Sequence, residues 1–199
     1  DKINLVIENE GISLDIDAVV DASKIFEDKP MRDINYQIMN VIGTFIPNYM
    51  GGSADLFCST KTYLKGKREF SYDDYGGRNI NFGVREALMG AVLDGFIRSY
   101  GSTFLAFADY MKPEIRMSAM MDLPVTYIFT HDSVRVGPDG ITHQPVEQLG
   151  MLRSIPNFSV YRPCDYKELI GSWTNILREG KPCALVLPRG HLETMKHTN

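Results

Sequence analysis

The spacing of apolar residues divides the chain into helical and extended segments. Ile34, Ile38, Val41, Ile42 and Phe45 fall on one face of a helix that Pro47 stops. Val84, Ala87, Leu88, Ala91 and Val92 repeat at helical spacing, and Met89 and Leu93 make the other side apolar too, so this helix is expected to be buried on several faces. Residues 113–121 read as a helix with Ile115, Ala119 and Met120 inward. Residues 145–153 read as another. Leu169, Ile170, Trp173, Ile176 and Leu177 mark a third, ended by Gly180. Short continuous apolar runs lie between these helices: Thr103–Ala108, Val125–Phe129, Ser159–Tyr161 and Cys183–Leu187. Such runs are expected of strands buried on both faces. Residues 59–80, polar and rich in Lys and Tyr, read as a long loop. Strands alternating with helices predict an α/β fold, with a mostly parallel sheet and helices on both faces. In such sheets functional groups collect at the carboxyl ends of strands. Here those ends are Gly51–Asp55, Phe107–Tyr110, Thr130–Ser133, Arg162–Asp165 and Pro188-Arg189.

Composition narrows the function classes. With 199 residues, 44% hydrophobic and 23% charged, the chain is long enough for one generous domain with its own core. A net charge of −4 and the absence of a Lys/Arg stripe argue against a nucleic-acid partner. No apolar run reaches the length of a membrane span, and the first residues lack the basic and apolar regions of a signal peptide. Residues 1–30 hold eight acids against three lysines and show no sustained periodicity. They read as an acidic linker or arm, ahead of a domain over 31–190 and a polar tail over 191–199. Cys58, Cys164 and Cys183 are odd in number and far apart in sequence, which fits reduced thiols in a cytoplasmic protein.

Common chemical signatures are missing: there is no G-x-G-x-x-G, Walker loop, H-E-x-x-H or paired C-x-x-C. His131, Asp132 and His143 do not follow a zinc-ligand spacing. The remaining candidates each have two readings. Thr130-His131-Asp132-Ser133 follows a buried strand and suits either an anion or substrate site or a loop cap. Thr142 or His143 would cap the helix that Pro145 begins, and that helix N-terminus would also suit an anion. Phe104, Phe107 and Tyr110, spaced by three, either fill the core or wall a slot for a planar ring. Glu86 opens an apolar helix, where a carboxylate is favoured by the helix dipole alone.

Six segments taken together are more specific than any one of them. They are Gly51-Gly52-Ser53-Ala54-Asp55-Leu56, Phe82-Gly83-Val84-Arg85-Glu86, Ser102–Phe107 with Asp109-Tyr110, Thr130–Ser133, Thr142–Gln148 and Arg162-Pro163. In order and spacing they resemble the middle, pyrimidine-binding domain of transketolases, over Arg32 to Arg189. Dihydroxyacetone synthase shares much of the pattern, and the deoxyxylulose-phosphate synthases share less. The chain departs from the family pattern in a shorter segment between Gly95 and Tyr100, in Ile141 where Pro is usual, and in Pro188 and Gly190 flanking Arg189.

The resemblance implies a thiamine-diphosphate-binding fold of the pyrimidine-domain type. It also implies transfer of a two-carbon ketol unit between sugar phosphates in the pentose phosphate pathway. In the family pattern Glu86 and His143 are the catalytic positions. Glu86 bonds the aminopyrimidine ring nitrogen and favours the imino tautomer, a task that needs a carboxyl able to donate a proton. His143 lies near the reacting hydroxyls. Asp55, Glu86, Phe104, Phe107 and Tyr110 correspond to cofactor-binding positions, and Arg32, Ser59, His131, Asp139, His143 and Arg189 to substrate-binding ones. Arginine suits a phosphate grip through its planar, bidentate donors. The family binds the diphosphate through Mg²⁺ or Ca²⁺ on a Gly-Asp-Gly motif of a preceding domain, a motif this chain lacks. The implied partners are sugar phosphates, a diphosphate-binding domain or subunit, and a second copy in a homodimer, with no nucleic acid and no membrane. The chain alone is then not expected to be active. A domain of another thiamine-diphosphate enzyme and a non-catalytic dimerisation or regulatory module remain the alternatives.

Overall fold

The computed structural model describes residues 4–7, 12–15 and 29–192. Two short strands, β1 (Asn4–Ile7) and β2 (Ile12–Asp15), pair antiparallel, with Asn4 opposite Asp15 and Ile7 opposite Ile12. This hairpin puts regular structure into a segment whose sequence shows no sustained periodicity. Four-residue strands are too short to show a period. Most of the acidic residues of that segment lie outside the described residues, as does His197 of the expected tail.

Twelve further α-helices and strands follow among the described residues. They are α1 (Met31–Phe45), β3 (Tyr49–Ser53), α2 (Phe57–Thr60), β4 (Asn79–Asn81), α3 (Glu86–Leu93), β5 (Arg98–Phe104), α4 (Lys112–Met121), β6 (Val125–Thr130), α5 (Gln148–Arg153), β7 (Ser159–Tyr161), α6 (Tyr166–Glu179) and β8 (Cys183–Val186). Strands β3 to β8 form one sheet in the order β4-β3-β5-β6-β8-β7, and every pair in it is parallel. The expected α/β class is therefore the observed one. Successive residues of a strand face opposite sides of the sheet, so the central strands serve two cores. Ile128 and Leu185 pack with α1 and α6, while Tyr127, Phe129, Ala184 and Val186 pack with α3, α4 and α5 on the other face.

Several elements differ from the sequence pattern. β3 contains Gly51 and Gly52, which offer no apolar signal. A Cβ at Gly51 would lie 1.9 Å from the carbonyl oxygen of Tyr100, and one at Gly52 1.9 Å from that of Ile80, so the strand packs where only glycine fits. The expected loop over 59–80 holds part of α2 and most of β4. Asn79 ties it down, accepting from the Leu64 amide at 2.7 Å and donating to the Leu64 and Lys67 carbonyls. The strand expected over Thr103–Ala108 begins at Arg98 and ends at Phe104, and Leu105–Met111 is a 3₁₀ helix. Met120 of α4 is exposed and Ser118 is buried in its place. Helix α5 starts at Gln148 without a side-chain cap, because Ile141–His143 form a separate 3₁₀ turn. Thr142 and His143 therefore do not cap it. The short segment after α3 closes as a tight turn, with the Gly95 and Phe96 amides bonded to the Val92 and Leu93 carbonyls.

The connection after β3 leads to one edge of the sheet and the connection after β5 to the other side. A crevice therefore opens between their carboxyl ends.

Candidate functional site

The spacing of Phe104, Phe107 and Tyr110 takes its meaning from the 3₁₀ helix. That helix has three residues per turn and rises about 2 Å per residue, so side chains three apart stack roughly 6 Å apart. The ring centroids are 5.8 Å apart for Phe104–Phe107, at an interplanar angle of 17°, and 6.0 Å apart for Phe107–Tyr110. Phe104 is buried, Phe107 half-buried and Tyr110 exposed. This is a ring wall climbing out of the core rather than core packing alone.

Two imidazoles lean on the same wall. The His131 ring lies 3.8 Å from that of Phe104. The His143 ring lies 5.1 Å from Phe107, edge-on, and 5.9 Å from Phe104. Glu86, at the first turn of α3 and 8% exposed, accepts a hydrogen bond from the Thr103 hydroxyl at 3.3 Å, one residue before Phe104. Asp55 does not join this group. It lies just past β3, exposed, in the left-handed region at φ 62°. Among the described residues no hydrogen bond, ion pair or ring contact links it to the wall.

Charged residues gather around His131, which is 2% exposed. Its Nε2 is 3.8 Å from Asp139 Oδ2, and that oxygen is 4.0 Å from Arg189 Nε. Gly137 and Gly140, both at positive φ, bound the turn that carries Asp139. Arg32 on α1 donates to the backbone carbonyl of Ser59 at 3.1 Å. Burial pushes the His131 pKa down to about 4, helped by Arg32, Arg189 and His143 and opposed by Asp139. His131 is thus neutral at neutral pH, and the positive charge of the cluster rests on the two arginines. Arg32 Nε and Asp139 Oδ2 are buried without a hydrogen-bond partner. Buried polar groups are normally paired, so these two atoms are the ones a bound ligand would satisfy. Five positions expected around a sugar phosphate (Arg32, Ser59, His131, Asp139 and Arg189) are thereby brought together, and His131 and His143 both lie against the ring wall.

Three supporting groups escaped the sequence reading. Asp132, buried, accepts from Arg162 Nε at 2.8 Å and Nη2 at 2.7 Å, joining the ends of β6 and β7. This pair adjoins His131, whose backbone is left-handed at φ 59°. Ser53, Thr60, Thr62 and Ser102 form a buried hydroxyl network. In it Thr62 and Ser102 are 2.6 Å apart, and Ser53 bonds the Ser102 carbonyl and accepts from the Leu56 amide. Gln148 bonds Asp109 at 2.9 Å. All of these residues stand in or near the six segments, but, apart from the local Leu56–Ser53 bond, these pairings span 30 residues in the first group, 40 to 49 in the second and 39 in the third. Local pattern carries no sign of them.

The chain has clear relatives. Residues 27–195 match the model of the transketolase pyrimidine-binding domain. A transketolase of Halalkalibacterium halodurans is 45% identical over 186 residues, 90% of this chain and 28% of that protein. One of Bacillus subtilis is 47% identical over 169 residues, 82% of this chain and 25% of that protein. Among solved structures, the transketolase of Campylobacter jejuni superposes with a TM-score of 0.85 at 37% identity, over 94% of this chain and 30% of that one. The Pichia stipitis transketolase in complex with sedoheptulose 7-phosphate gives 0.82 at 37% identity, over 85% and 27%. The chain spans between a quarter and three tenths of the length of these relatives. With six family segments in order, a six-stranded parallel sheet of the same shape and a family match over most of its length, this chain belongs to the transketolase pyrimidine-binding domain family.

Proposed function

We propose that the chain serves as the pyrimidine half of a transketolase active site, in an enzyme that moves a two-carbon ketol unit between sugar phosphates. The observation that carries this reading is the ring wall of Phe104, Phe107 and Tyr110, with the Glu86 carboxylate at its inner end and the His131–Asp139–Arg189 cluster against the same rings. Thiamine diphosphate, when bound, would supply an electron sink next to the substrate carbonyl. The residues present fit its aminopyrimidine: the rings offer a face for stacking, and Glu86 offers a buried carboxylate that accepts from the Thr103 hydroxyl.

In this reading each residue of the chain has a task. Glu86 holds and moves a proton at the pyrimidine ring nitrogen. The rings fix the pyrimidine plane, and Asp55 borders it. His143, beside Phe107, lies near the reacting hydroxyls of the sugar. Asp139 takes the hydrogen bond of a substrate hydroxyl through Oδ2, which accepts no hydrogen bond from the described residues. Arg32 and Arg189 bind the phosphate, with Ser59 and neutral His131 as uncharged neighbours. The diphosphate and its Mg²⁺ or Ca²⁺ belong to a diphosphate-binding domain or subunit, and the chain alone is inactive. The exposed apolar residues Leu88 of α3 and Val84 just before it suit burial against a second copy in a homodimer. Residues 31–190 are the domain proper, with 1–30 as a linking arm and 191–199 as a tail. A cytoplasmic setting completes the reading. Cys58, Cys164 and Cys183 form no disulfide, and among the described residues no helix is long and apolar enough to cross a membrane.

The test is Glu86→Ala in the assembled enzyme. Loss of a positioned proton-transfer group typically costs about 10²- to 10⁴-fold in rate. Turnover and exchange of the cofactor's C2 proton should fall together by that order. Exchange at nearly the wild-type rate would remove Glu86 from the role and the reading with it.

A further inference from the structure

The side chain of Gln148 makes two hydrogen bonds from a nearly closed position, 4% exposed at the first turn of α5. Its Nε2 donates to Asp109 Oδ2 at 2.9 Å, and its Oε1 accepts from the Val146 amide at 2.9 Å. The amide has one orientation that satisfies both partners, because a backbone N–H can only donate and a carboxylate can only accept. Asp109 sits on the 3₁₀ helix between Phe107 and Tyr110. Val146 ends the segment that follows the 3₁₀ turn carrying His143. Gln148 therefore bridges the element that builds the ring wall and the element that presents His143, whose rings meet edge-on at Phe107.

We propose that Gln148 is a positioning residue that locks His143 in register with the ring wall, so that a substrate held beside a ring-bound cofactor would meet His143 at a fixed distance. The assignment rests on the cofactor reading above and deepens it. The bridge acts by geometry. A planar ring held on Phe104 and Phe107 fixes one end of the reacting group. The Val146 anchor fixes the other, and the Gln148 amide sets the separation. Either bond alone would leave one of the two elements free to shift, and small misplacements of reacting groups are costly.

The direction of the bond makes it testable. Gln148→Glu keeps an acceptor for Val146 but sets a carboxylate against the Asp109 carboxylate. Asp109→Asn/Gln148→Glu restores a bond of reversed direction, with the new asparagine as donor. Two readouts are taken. One is the ring-proton chemical shifts of labelled His143 in the cofactor-free protein, which the Phe107 ring current displaces. The other is kcat against KM for a ketose phosphate in the assembled enzyme saturated with thiamine diphosphate. Gln148→Glu should collapse the His143 displacement and lower kcat by about tenfold or more, the scale of a buried hydrogen bond replaced by an unpaired contact. The double variant should recover both to within about threefold of Asp109→Asn alone, a spread below the scale of one such bond. A purely structural role would lower the melting temperature in both variants with no dependence on bond direction, and that result overturns the proposal. An unchanged His143 shift in Gln148→Glu overturns it as well. If the shifts follow the pattern while turnover of the wild type does not depend on thiamine diphosphate, the bridge stands. In that case the cofactor reading fails, and the catalytic half of the proposal fails with it.

Discussion

Helices α3 and α6 both carry apolar residues at helical spacing, yet the fold uses them in opposite ways. On α6 the stripe of Leu169, Ile170, Trp173, Ile176 and Leu177 is buried residue for residue against α1 and the sheet. At α3 the positions Ala87, Leu88 and Ala91, with Val84 just before the helix, are left outward, and Val92 is partly buried against the core. Val84 is 77% exposed and Leu88 49%, while the buried positions are Glu86, Met89, Gly90 and Leu93. The expectation of burial on several faces is therefore corrected within this chain: one face is buried, and it is the one holding the carboxylate. A helix apolar all round needs cover all round. Helix α6 has it within its own domain, whereas α3 has it on one side only. Periodicity thus shows how much of a helix is apolar, but not whose atoms cover it.

The largest effect that would sharpen this contrast lies on α6. Trp173 is fully buried, donates to Asn35 Oδ1 at 2.8 Å and meets Tyr49 edge-on at 6.5 Å. Trp173→Ala removes a large ring and leaves a buried amide oxygen without its donor. Such a change costs about 3–5 kcal/mol. Urea denaturation should show a drop of that size. A loss below about 1 kcal/mol, the ordinary scale of a point mutation, would mean that α6 is not the closed half of the comparison.

The buried face of α3 should respond next. Gly90 faces α4, and a Cβ there would stand 2.5 Å from Glu114 Cβ and 3.1 Å from its Cγ. The obstruction is the root of the glutamate side chain, so the helices must part. Their spacing is also fixed by the hydroxyl of Ser118, which bonds both Asp94 at the end of α3 and Tyr127 of β6. Overpacking of this kind costs about 1–3 kcal/mol, and Gly90→Ala should lose that much by the same measurement. A stabilised variant, as expected for alanine at an open helical site, would show that α3 is not held closely on this side.

The same contrast explains what was legible in the sequence. Strands β6 and β8 and helix α6 were legible because they are closed inside the domain and their composition answers to one environment. Strand β3 was not, since close approach of Tyr100 and Ile80 demands two glycines where a strand would show branched residues. Strand β4 has three residues, less than two repeats of its period. The 3₁₀ helix after β5 hid behind its own clearest signal: a spacing of three suggested a wall of rings but not the helix that makes one. In the site, the chemistry-bearing side chains at strand ends could be named from the chain. The bonds that aim them (Gln148 to Asp109, and Arg162 to Asp132) join residues brought together only by folding.

The smallest effect on stability is the one that best separates the two helices. Leu88→Glu changes a half-exposed side chain at the centre of the outward face of α3, with Ala91 one turn further on also exposed. Glutamate is a good helix former, and surface changes away from caps and cores usually stay within about 0.5 kcal/mol, so urea denaturation should barely move. Self-association should nonetheless weaken, because a carboxylate placed in an apolar contact has to be desolvated without a partner. Sedimentation of the wild-type and variant enzymes across a dilution series would measure this, with the variant dissociating at concentrations where the wild type stays associated. The matching change on α6, Ile176→Glu, buries the charge inside the domain and should unfold it instead. If Leu88→Glu unfolds the domain as readily as Ile176→Glu, α3 is covered from within and the contrast disappears. If it leaves both fold and association intact, the outward stripe is not a contact surface. The exposed apolar face of α3 supports the intermediate outcome, in which the fold is retained and the contact is lost.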